Sequence, residues 1–269
     1  MNEFSQSHRP LTKLLATGQT TQYSSELDDG YYEKGIVKSY TILTTGAQSG
    51  NAVINLTHLD TNTGVSFDHD TLIITCAGAM GVFKAAGGET IVISGSTSNN
   101  GTFTTHAADA NTITVHEHLT TEAAGQPVVI KKQETITNGN NCVIDNNTGL
   151  MWMRYQDLKM GIAGDGKMPW TGVPYDLFAF CAACNTASLG GYTDWRVPNY
   201  YELLSIFDGE APTSNPNSTA FPSWVVGYTI TSHTKASGTT LAVGLYSYSM
   251  NAAEMLKTSS GGNVILVRG

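Results

Sequence analysis

Short apolar runs separated by turn-forming residues dominate the first half of this chain. Between Thr41 and Lys132, each apolar run is followed within a few residues by Gly, Asn, Ser or Asp. Short runs bounded by such residues are typical of β-strands. The pattern predicts strands at residues 52–56, 71–76, 90–94, 101–105, 112–116 and 128–131. Their spacing favours a small all-β sandwich or barrel.

One pair of these strands carries a specific turn signal. The stretch from Ile91 to Thr104 contains an apolar run, a Gly/Ser/Asn-rich segment and a second run that begins at Gly101. Asn100-Gly101 lies between the two runs, and Asn-Gly accommodates the positive φ angles of a tight reverse turn. The sequence therefore predicts a hairpin that is closed at this dipeptide.

Charge and hydropathy exclude two classes of partner. Only 13% of the residues are charged, and the net charge is -8. The chain therefore lacks the basic stripe that nucleic acid or an anionic membrane surface would require. No stretch approaches the roughly 20 apolar residues that span a bilayer, and residues 1–10 lack the basic start and apolar core of a secretory signal. We expect a soluble product of the cytoplasm, without membrane insertion.

The character of the sequence changes at Glu134, where large aromatic residues and helical patterns begin. Apolar spacing at Leu177, Phe178, Cys181 and Cys184 predicts a helix over 175–187. A second helix is predicted over 199–208, with Asn199 as its cap, Glu202 at the reciprocal capping-box position, and a buried stripe. That stripe comprises Tyr200, Leu203, Leu204 and Phe207. Only short strands follow, at 228–232, 240–246 and 264–267.

Three segments of the second half carry a family resemblance. They run from Val143 to Trp152, from Leu189 to Asn199 with Glu202-Leu203-Leu204 beyond, and over the closing Val267-Arg268-Gly269. In order and spacing, residues 134–269 resemble the Lcl C-terminal domain family. The resemblance implies a C-type-lectin-like fold, in which two helices surround a small twisted antiparallel sheet with long ligand-bearing loops. The chain as a whole is expected to be α+β and rich in β-structure.

Two further resemblances suggest that the chain has three parts. Residues 70–132 resemble a small β-module that recurs in phage tail and other virion proteins. The polar run from Thr17 to Tyr23 and the turn Asp28-Asp29-Gly30 resemble the segment that often opens Lcl-type proteins, and an apolar cluster at Leu11–Leu15 precedes them. We therefore predict an N-terminal arm (1–40), an inserted Thr/Gly-rich β-domain (41–133) and the main domain (134–269).

Several residues of the main domain are predicted to be architectural. Gly190-Gly191 permits a tight turn between the first helix and an Asp194-Trp195-Arg196 strand, where we expect too little room for a Cβ. Trp152 and Trp195 have large apolar side chains that we expect to pack under the helices. Each buried indole N–H then needs a hydrogen-bond acceptor. By the two-residue alternation of a strand, Asp194 and Arg196 lie on the face opposite Trp195.

The cysteines are too few and too irregularly spaced for a disulfide scaffold. We expect Cys76, Cys142, Cys181 and Cys184 to be mostly free. Cys181 and Cys184 form a CxxC on an apolar helix without a second pair or a nearby histidine, which favours core packing over a zinc or redox site. A disulfide from Cys142 to either remains an alternative for an oxidising virion or cell surface.

Two further patterns imitate metal sites. His116 and His118 are predicted to lie on one strand face, but no third ligand is placed by the sequence, which favours solvated edge histidines. Asp145, Asn147 and Gly149 resemble the start of a calcium-binding loop. The remaining acidic ligands of such a loop are missing, so a hairpin turn is favoured. Asp28-Asp29-Gly30 is interpreted in the same way. We expect no metal and no cofactor.

Motifs for catalysis are lacking from the sequence. There is no Gly-x-Ser-x-Gly elbow, no His-Glu-x-x-His and no phosphate-cradling loop. His233 has no acid at a useful spacing, and Asp208 with Glu210 is interpreted as a pair of solvated charges. Formylglycine-generating enzymes share the lectin-like architecture and use a copper-binding cysteine pair, which keeps such an enzyme as a third, less favoured hypothesis. We expect a non-enzymatic protein.

Function is predicted to reside in two loops, 209–224 and 246–262, that are rich in Ser, Asn, Gly and aromatic residues. Rigid aromatics supply contact area while Ser and Asn adapt their hydrogen bonds. Trp224, Tyr246, Tyr248 and Asn251 are the candidate residues for binding a ligand or partner, although these aromatics could instead complete the core.

The favoured hypothesis is a phage virion protein of the tail, baseplate or fibre, assembled in the host cytoplasm. Its partners would be other virion subunits and a host-surface glycan or protein. Edge-prone strands suggest a homo-oligomer, and analogy with fibres suggests a trimer. The alternative is a bacterial adhesin or glycan-binding protein at the cell surface.

Overall fold

Fourteen strands and two α-helices form the part of the chain that the structure describes, which confirms a β-rich α+β fold. The structure is a computed structural model, and it describes residues 37–43, 51–136, 142–154, 166–207, 216–259 and 261–269. The predictions for Leu11–Leu15, Thr17–Tyr23, Asp28-Asp29-Gly30, Asp208 and Glu210 lie outside these ranges. Within the ranges, no helix has both the length and the apolar character that crossing a membrane requires.

The elements are numbered here in chain order. The strands before residue 140 are β1 (Tyr40–Ile42), β2 (Ala52–Asn62), β3 (Ser66–Asp68), β4 (Ile73–Thr75), β5 (Thr90–Ser94), β6 (Gly101–Ala108), β7 (Thr112–Val115) and β8 (Val128–Ile136). The later strands are β9 (Cys142–Asp145), β10 (Met151–Met153), β11 (Tyr228–Thr234), β12 (Leu241–Tyr246), β13 (Asn251–Leu256) and β14 (Val267–Arg268). The helices are α1 (Leu177–Thr186) and α2 (Tyr200–Ser205), with a 3-10 turn at Leu189–Gly191 between them.

Seven strands form one antiparallel sheet in the order β2-β8-β5-β6-β7-β4-β3. The middle strand, β6, pairs with β5 at its start and with β7 at its end, and its register shifts between Thr105 and Ala107. Such an irregularity bends a strand and strengthens its twist. Apolar side chains from both halves of the sheet, among them Ile91, Ile130 and Ile113, pack in one core.

The predicted hairpin is confirmed, since β5 and β6 pair antiparallel, but the prediction of a tight turn at Asn100-Gly101 is wrong. Ile93 pairs with Gly101, so residues 94–100 connect β5 to β6. The positive φ at the start of the connection is that of Gly95 (+85°), where an added Cβ would lie 2.3 Å from the oxygen of Pro127. Asn100 closes the loop through its side chain, which accepts from the Ser96 amide and donates to the Ser96 carbonyl.

A four-stranded sheet, β1-β9-β10-β14, joins distant parts of the chain. β1 precedes the seven-stranded sheet in sequence and β9 follows it, yet the two pair antiparallel, with Tyr40 opposite Asp145. The ends of β2 and β8 also reach this region, because Ala52, Ile54 and Ile136 belong to the same apolar core as the second half of the chain. The predicted boundary at 133/134 stays a prediction.

Helix α1 is capped by the Asp176 carboxylate, which accepts from the amides of Phe178 and Ala179. Its buried residues are Leu177, Phe180, Cys181 and Cys184. Phe178, one of the apolar residues whose spacing predicts this helix, is 40% exposed and packs edge-on against Trp170. Phe180 fills the core position instead.

Gly190, the first of the paired glycines, lies at a site of close approach. Gly190 has φ +62°, and a Cβ there would lie 2.3 Å from the Cys142 sulfur. Gly191 also has a positive φ of +84°. Trp195, buried beside this turn, donates its indole N–H to the Leu189 carbonyl at 2.8 Å. Trp152 is fully buried as well, but its indole nitrogen has no hydrogen-bond partner among the described residues.

Residues 194–196 do not form a strand, contrary to the prediction; only Arg196 makes an isolated bridge, to Val267. The last predicted strand is likewise shortened to β14. Two bidentate ion pairs brace this region: Arg196 to Glu202 at 2.8 and 2.7 Å, and Arg268 to Asp194 at 2.6 and 3.0 Å.

Candidate functional site

Three of the four predicted binding residues meet at the turn between β12 and β13, residues 246–251, which we call the hairpin tip. β11, β12 and β13 form a three-stranded antiparallel sheet, and Tyr246 pairs with Asn251 across the turn. The side chains of Tyr246 and Tyr248 lie together, with ring centroids 5.5 Å apart and planes inclined at 41°. Tyr246 is 40% exposed and Tyr248 is 61% exposed. The tip therefore presents two aromatic rings and an exposed amide to solvent.

The hairpin tip is anchored on both sides. Ser247 is buried and bonds Gly227 three times: its amide and hydroxyl both donate to the Gly227 carbonyl, and its hydroxyl accepts from the Gly227 amide. On the other side, the Tyr200 hydroxyl donates to the Met250 carbonyl at 3.4 Å. Met250 itself has a positive φ of +51°. These bonds fix the backbone of the turn from which the two exposed rings project.

Tyr201 is an exposed aromatic residue that the sequence reasoning missed. It lies in the first turn of α2, is 74% exposed, and packs edge-on against Tyr200 at 5.5 Å. Since Tyr200 also contacts the hairpin tip, α2 and the tip are parts of one surface. A signal for Tyr201 existed in the helical pattern, because it is the one aromatic residue of α2 outside the predicted buried stripe.

Helix α2 is held beside the tip by its N-terminus. The predicted capping box is confirmed, with the Asn199 side chain accepting from the Glu202 amide and the Glu202 carboxylate accepting from the Asn199 amide. The hydrogen bond from Arg196 holds the pKa of Glu202 below its usual range. On the adjoining sheet, His233 Nδ1 accepts from the Tyr200 amide at 3.3 Å, and Lys235 pairs with Glu254 at 2.7 Å.

The structure places Trp224 differently from the tip residues. Its ring is half-buried and packs edge-on against Phe207 and Phe221, at 5.1 and 6.2 Å between centroids. Its indole nitrogen is buried and has no hydrogen-bond partner among the described residues. These contacts are those of a residue that completes the core, while a binding role for Trp224 stays a prediction.

The four cysteines are free, as expected, and all are buried. Burial raises the pKa of the Cys142 thiol to about 12 and that of Cys181 to about 11, and it raises the pKa of Cys184 strongly. Cys181 donates to the Trp195 carbonyl at 3.1 Å. The thiolate, which is the nucleophile and the metal ligand, is therefore disfavoured at each of these positions.

The histidine prediction is wrong in its geometry. β7 ends at Val115, so His116 and His118 do not share a strand face. His116 packs against His106, and His118 packs against His69. No group of three or more His, Cys, Asp or Glu suited to a metal occurs in the described part of the chain.

The favoured interpretation of Asp145-Asn147-Gly149 as a hairpin turn is confirmed. Asp145 is buried, and its carboxylate accepts from the Asn147 amide and the Thr148 hydroxyl. The Gly149 amide donates to the Asp145 carbonyl, and Gly149 has φ +77°. The oxygens that would face a cation are thus used in closing the turn from β9 to β10.

Comparison with known proteins bears on the second half of the chain. No curated protein matches the sequence, and no solved structure matches it. Residues 141–268 match the family model of the Lcl C-terminal domain, which supports the family resemblance of this part of the chain.

Proposed function

We propose that this chain is a structural protein of a phage virion, in the tail, baseplate or fibre, and that it presents its C-terminal domain to a host surface or to a neighbouring subunit. The observation that carries the proposal is the pair of exposed tyrosines, Tyr246 and Tyr248, on an anchored turn. Exposed aromatic rings on a rigid support are a common feature of recognition surfaces, because little side-chain entropy is lost on binding.

The resemblance of residues 70–132 to a virion β-module favours a particle over a free protein. The partners would be other virion subunits and a glycan or protein of the host surface, and the site of assembly would be the host cytoplasm. A homo-oligomer is part of the proposal, with a trimer by analogy with fibres. Among the described strands, β13 pairs with β12 alone, and this exposed edge offers one surface for such contacts.

Particle association is the first test. Antibody against the purified chain should label particles in negative-stain microscopy, and quantitative blotting of purified particles should give a fixed copy number. If the protein is absent from particles, the virion proposal is wrong. In a second test, the double variant Tyr246→Ala/Tyr248→Ala should lose binding to host cells, whereas Leu256→Ala, 56% exposed at the far end of β13, should retain it.

A cell-surface adhesin or glycan-binding protein is the second candidate. The tilted tyrosine pair with Asn251 beside it favours this reading, because a sugar ring can stack on an aromatic face while an amide bonds its hydroxyls. Binding of the isolated, particle-free chain to a glycan array, lost in Tyr248→Ala, would favour this candidate over the first.

The third candidate, a copper-dependent enzyme, is disfavoured by the burial of Cys181 and Cys184 on α1. We propose that the protein has no catalytic activity. Titration with Cu(I) tests the copper candidate: we expect no stoichiometric binding, and stoichiometric binding that is lost in Cys181→Ser and Cys184→Ser would favour the copper-dependent enzyme instead.

A further inference from the structure

A lysine and a glutamate form a buried ion pair inside the seven-stranded sheet domain. Glu89 immediately precedes β5, and Lys132 lies in β8 opposite Ile91. The Lys132 Nζ and Glu89 Oε1 atoms are 2.8 Å apart, and the two side chains are only 2% and 5% exposed. Removal of two charges from water is costly, and their mutual attraction often fails to offset that cost. A chemical step that eliminates both charges would be favoured at such a place.

Both side chains are fixed by their neighbours. The Glu89 amide donates to Thr105 Oγ1, and the Thr105 amide donates back to the Glu89 carbonyl, both at 2.9 Å. Glu89 Oε2 accepts from the Lys84 amide at 2.7 Å, and Lys132 Nζ donates to the Val82 carbonyl at 2.8 Å. Such restraint raises the effective concentration of an amine and a carboxyl group far above any value in solution.

The two carboxylate oxygens of Glu89 differ. Oε2 is hydrogen-bonded, whereas Oε1 is buried and accepts no hydrogen bond, although Nζ lies 2.8 Å away. The amine thus sits beside the carboxylate without the alignment of a hydrogen-bond donor. The ring of Phe83 also lies near the amine, with its centroid 5.4 Å from Lys132 Nζ.

We propose that Lys132 and Glu89 condense to an intramolecular isopeptide bond. Proton transfer within the pair gives a neutral amine and a carboxylic acid. The Nζ lone pair then attacks Glu89 Cδ, the Nζ–Cδ bond forms, and the Cδ–Oε1 bond breaks. The Oε1 atom leaves as water with two of the three ammonium protons, so that the reaction requires no oxidant, reductant or added reagent.

The surroundings suit the product as well as the reactants. The amide oxygen, formerly Oε2, would keep the hydrogen bond from Lys84, and the amide N–H would keep the bond to Val82. The atom that departs is the one without a hydrogen bond. A cavity of about 240 Å³ beside the pair, lined by Gly88, Thr90 and residues 133–135, is large enough to take the released water.

The bond would link the start of β5 to the centre of β8. This inference does not depend on the proposed function. A covalent link of this kind restricts the unfolded chain in the way that a disulfide does. It would also hold the domain closed under mechanical load, since the two linked strands are neighbours in the sheet.

Mass spectrometry of the purified full-length chain tests the proposal. The denatured protein should weigh less than its sequence by one water molecule, and a protease digest should contain a branched peptide that joins Glu89 to Lys132. Lys235 and Glu254 provide an internal control: their atoms are 2.7 Å apart, but the side chains are 33% and 47% exposed. Peptides from this hydrated pair should remain separate.

The Lys132→Arg variant is the matched substitution, because arginine keeps the charge and the donors but stays protonated and does not attack carboxyl groups. Its mass should equal that of its sequence. Wild-type protein of full mass would overturn the proposal, as would a water loss that maps to a cyclic imide at an Asp-Gly sequence such as Asp208-Gly209 or that persists in Lys132→Arg. Should the variant fail to fold, the digest of the wild-type chain decides the question alone.

Discussion

The backbone amide of Ser39 donates a hydrogen bond of 3.1 Å to the side-chain oxygen of Asn147, 108 positions further along the chain. The Asn147 amide group also donates to the Val37 carbonyl at 2.9 Å. Between these residues in sequence lies the entire seven-stranded sheet. These hydrogen bonds join the segment before that sheet to the turn after it.

Asn147→Ala should weaken the contact between the segment before the seven-stranded sheet and the β9–β10 turn. The substitution removes two hydrogen bonds to the arm and leaves the β9–β10 turn closed by Asp145, so we expect a loss of about 1 kcal/mol in the free energy of unfolding. Urea denaturation monitored by fluorescence measures this change in the free energy of unfolding. Asn251→Ala is the control, because that asparagine is exposed and its side chain makes no hydrogen bond within the part of the chain that the structure describes. Equal stability of the two variants would show that the arm contributes nothing through Asn147.

The sequence predicts some of these features and not others, for identifiable reasons. β5 matches its prediction because its strand pattern and turn signals are local. The capping box of α2 was predicted correctly for the same reason. The pairing of β1 with β9 depends on residues more than a hundred positions apart, and nothing in either segment specifies its partner.

Side-chain orientation was harder to predict than element position. Phe178 and Phe180 are equally apolar, and only the direction of α1 relative to Trp170 decides which of them is buried. Trp224 was grouped with the tip tyrosines because all three occur in Ser- and Asn-rich segments. Tertiary contacts with Phe207 and Phe221 distinguish Trp224 from the two tyrosines. The composition of these segments does not predict such contacts.

Gly190→Ala should be among the most destabilising small substitutions in the protein. An alanine there combines a positive φ with a Cβ placed 2.3 Å from the Cys142 sulfur. Backbone strain and overpacking together should lower the free energy of unfolding by about 3 kcal/mol. Chemical denaturation compares this variant with Gly149→Ala, whose φ is also positive (+77°) but whose Cβ would meet nothing within 4 Å.

The clash itself can be isolated by a second substitution. Cys142→Ala removes the sulfur that the new methyl group would strike, so the double variant Gly190→Ala/Cys142→Ala should be more stable than the sum of the two single effects predicts. Additive effects would mean that the strain lies in the backbone alone.

Trp224 and Tyr248 should respond to truncation in opposite ways. Trp224→Ala removes a ring packed against two phenylalanines and should cost about 3 kcal/mol of stability. Tyr248→Ala removes a ring that is 61% exposed and should change stability by less than about 0.5 kcal/mol, while it reduces binding to the particle or host surface. Thermal unfolding and a binding assay on the same preparations separate the two roles. If Trp224→Ala is as stable as the wild type but no longer binds, Trp224 has a role in recognition and not only in the core.

Glu202 should make part of the stability of the C-terminal domain dependent on pH. Hydrogen bonds from Arg196, then the Asn199 amide and the charge of Arg196, hold its pKa below the usual range, with a small favourable contribution from His233. A carboxyl group whose pKa is lower in the folded state contributes stability above its unfolded pKa of about 4.3, and that stability is lost as the pH falls through the folded pKa.

Glu202→Gln keeps the shape of the capping box but removes this charge. The variant should be less stable than the wild type by about 1 kcal/mol at neutral pH, and the difference should stay constant down to about pH 5 and shrink below about pH 4. Urea midpoints measured for both proteins over this range test the prediction, and other carboxyl groups, including Asp194, cancel because both proteins contain them. A difference that stays constant or widens in acid would show that the Arg196–Glu202 pair does not stabilise the fold through its charge.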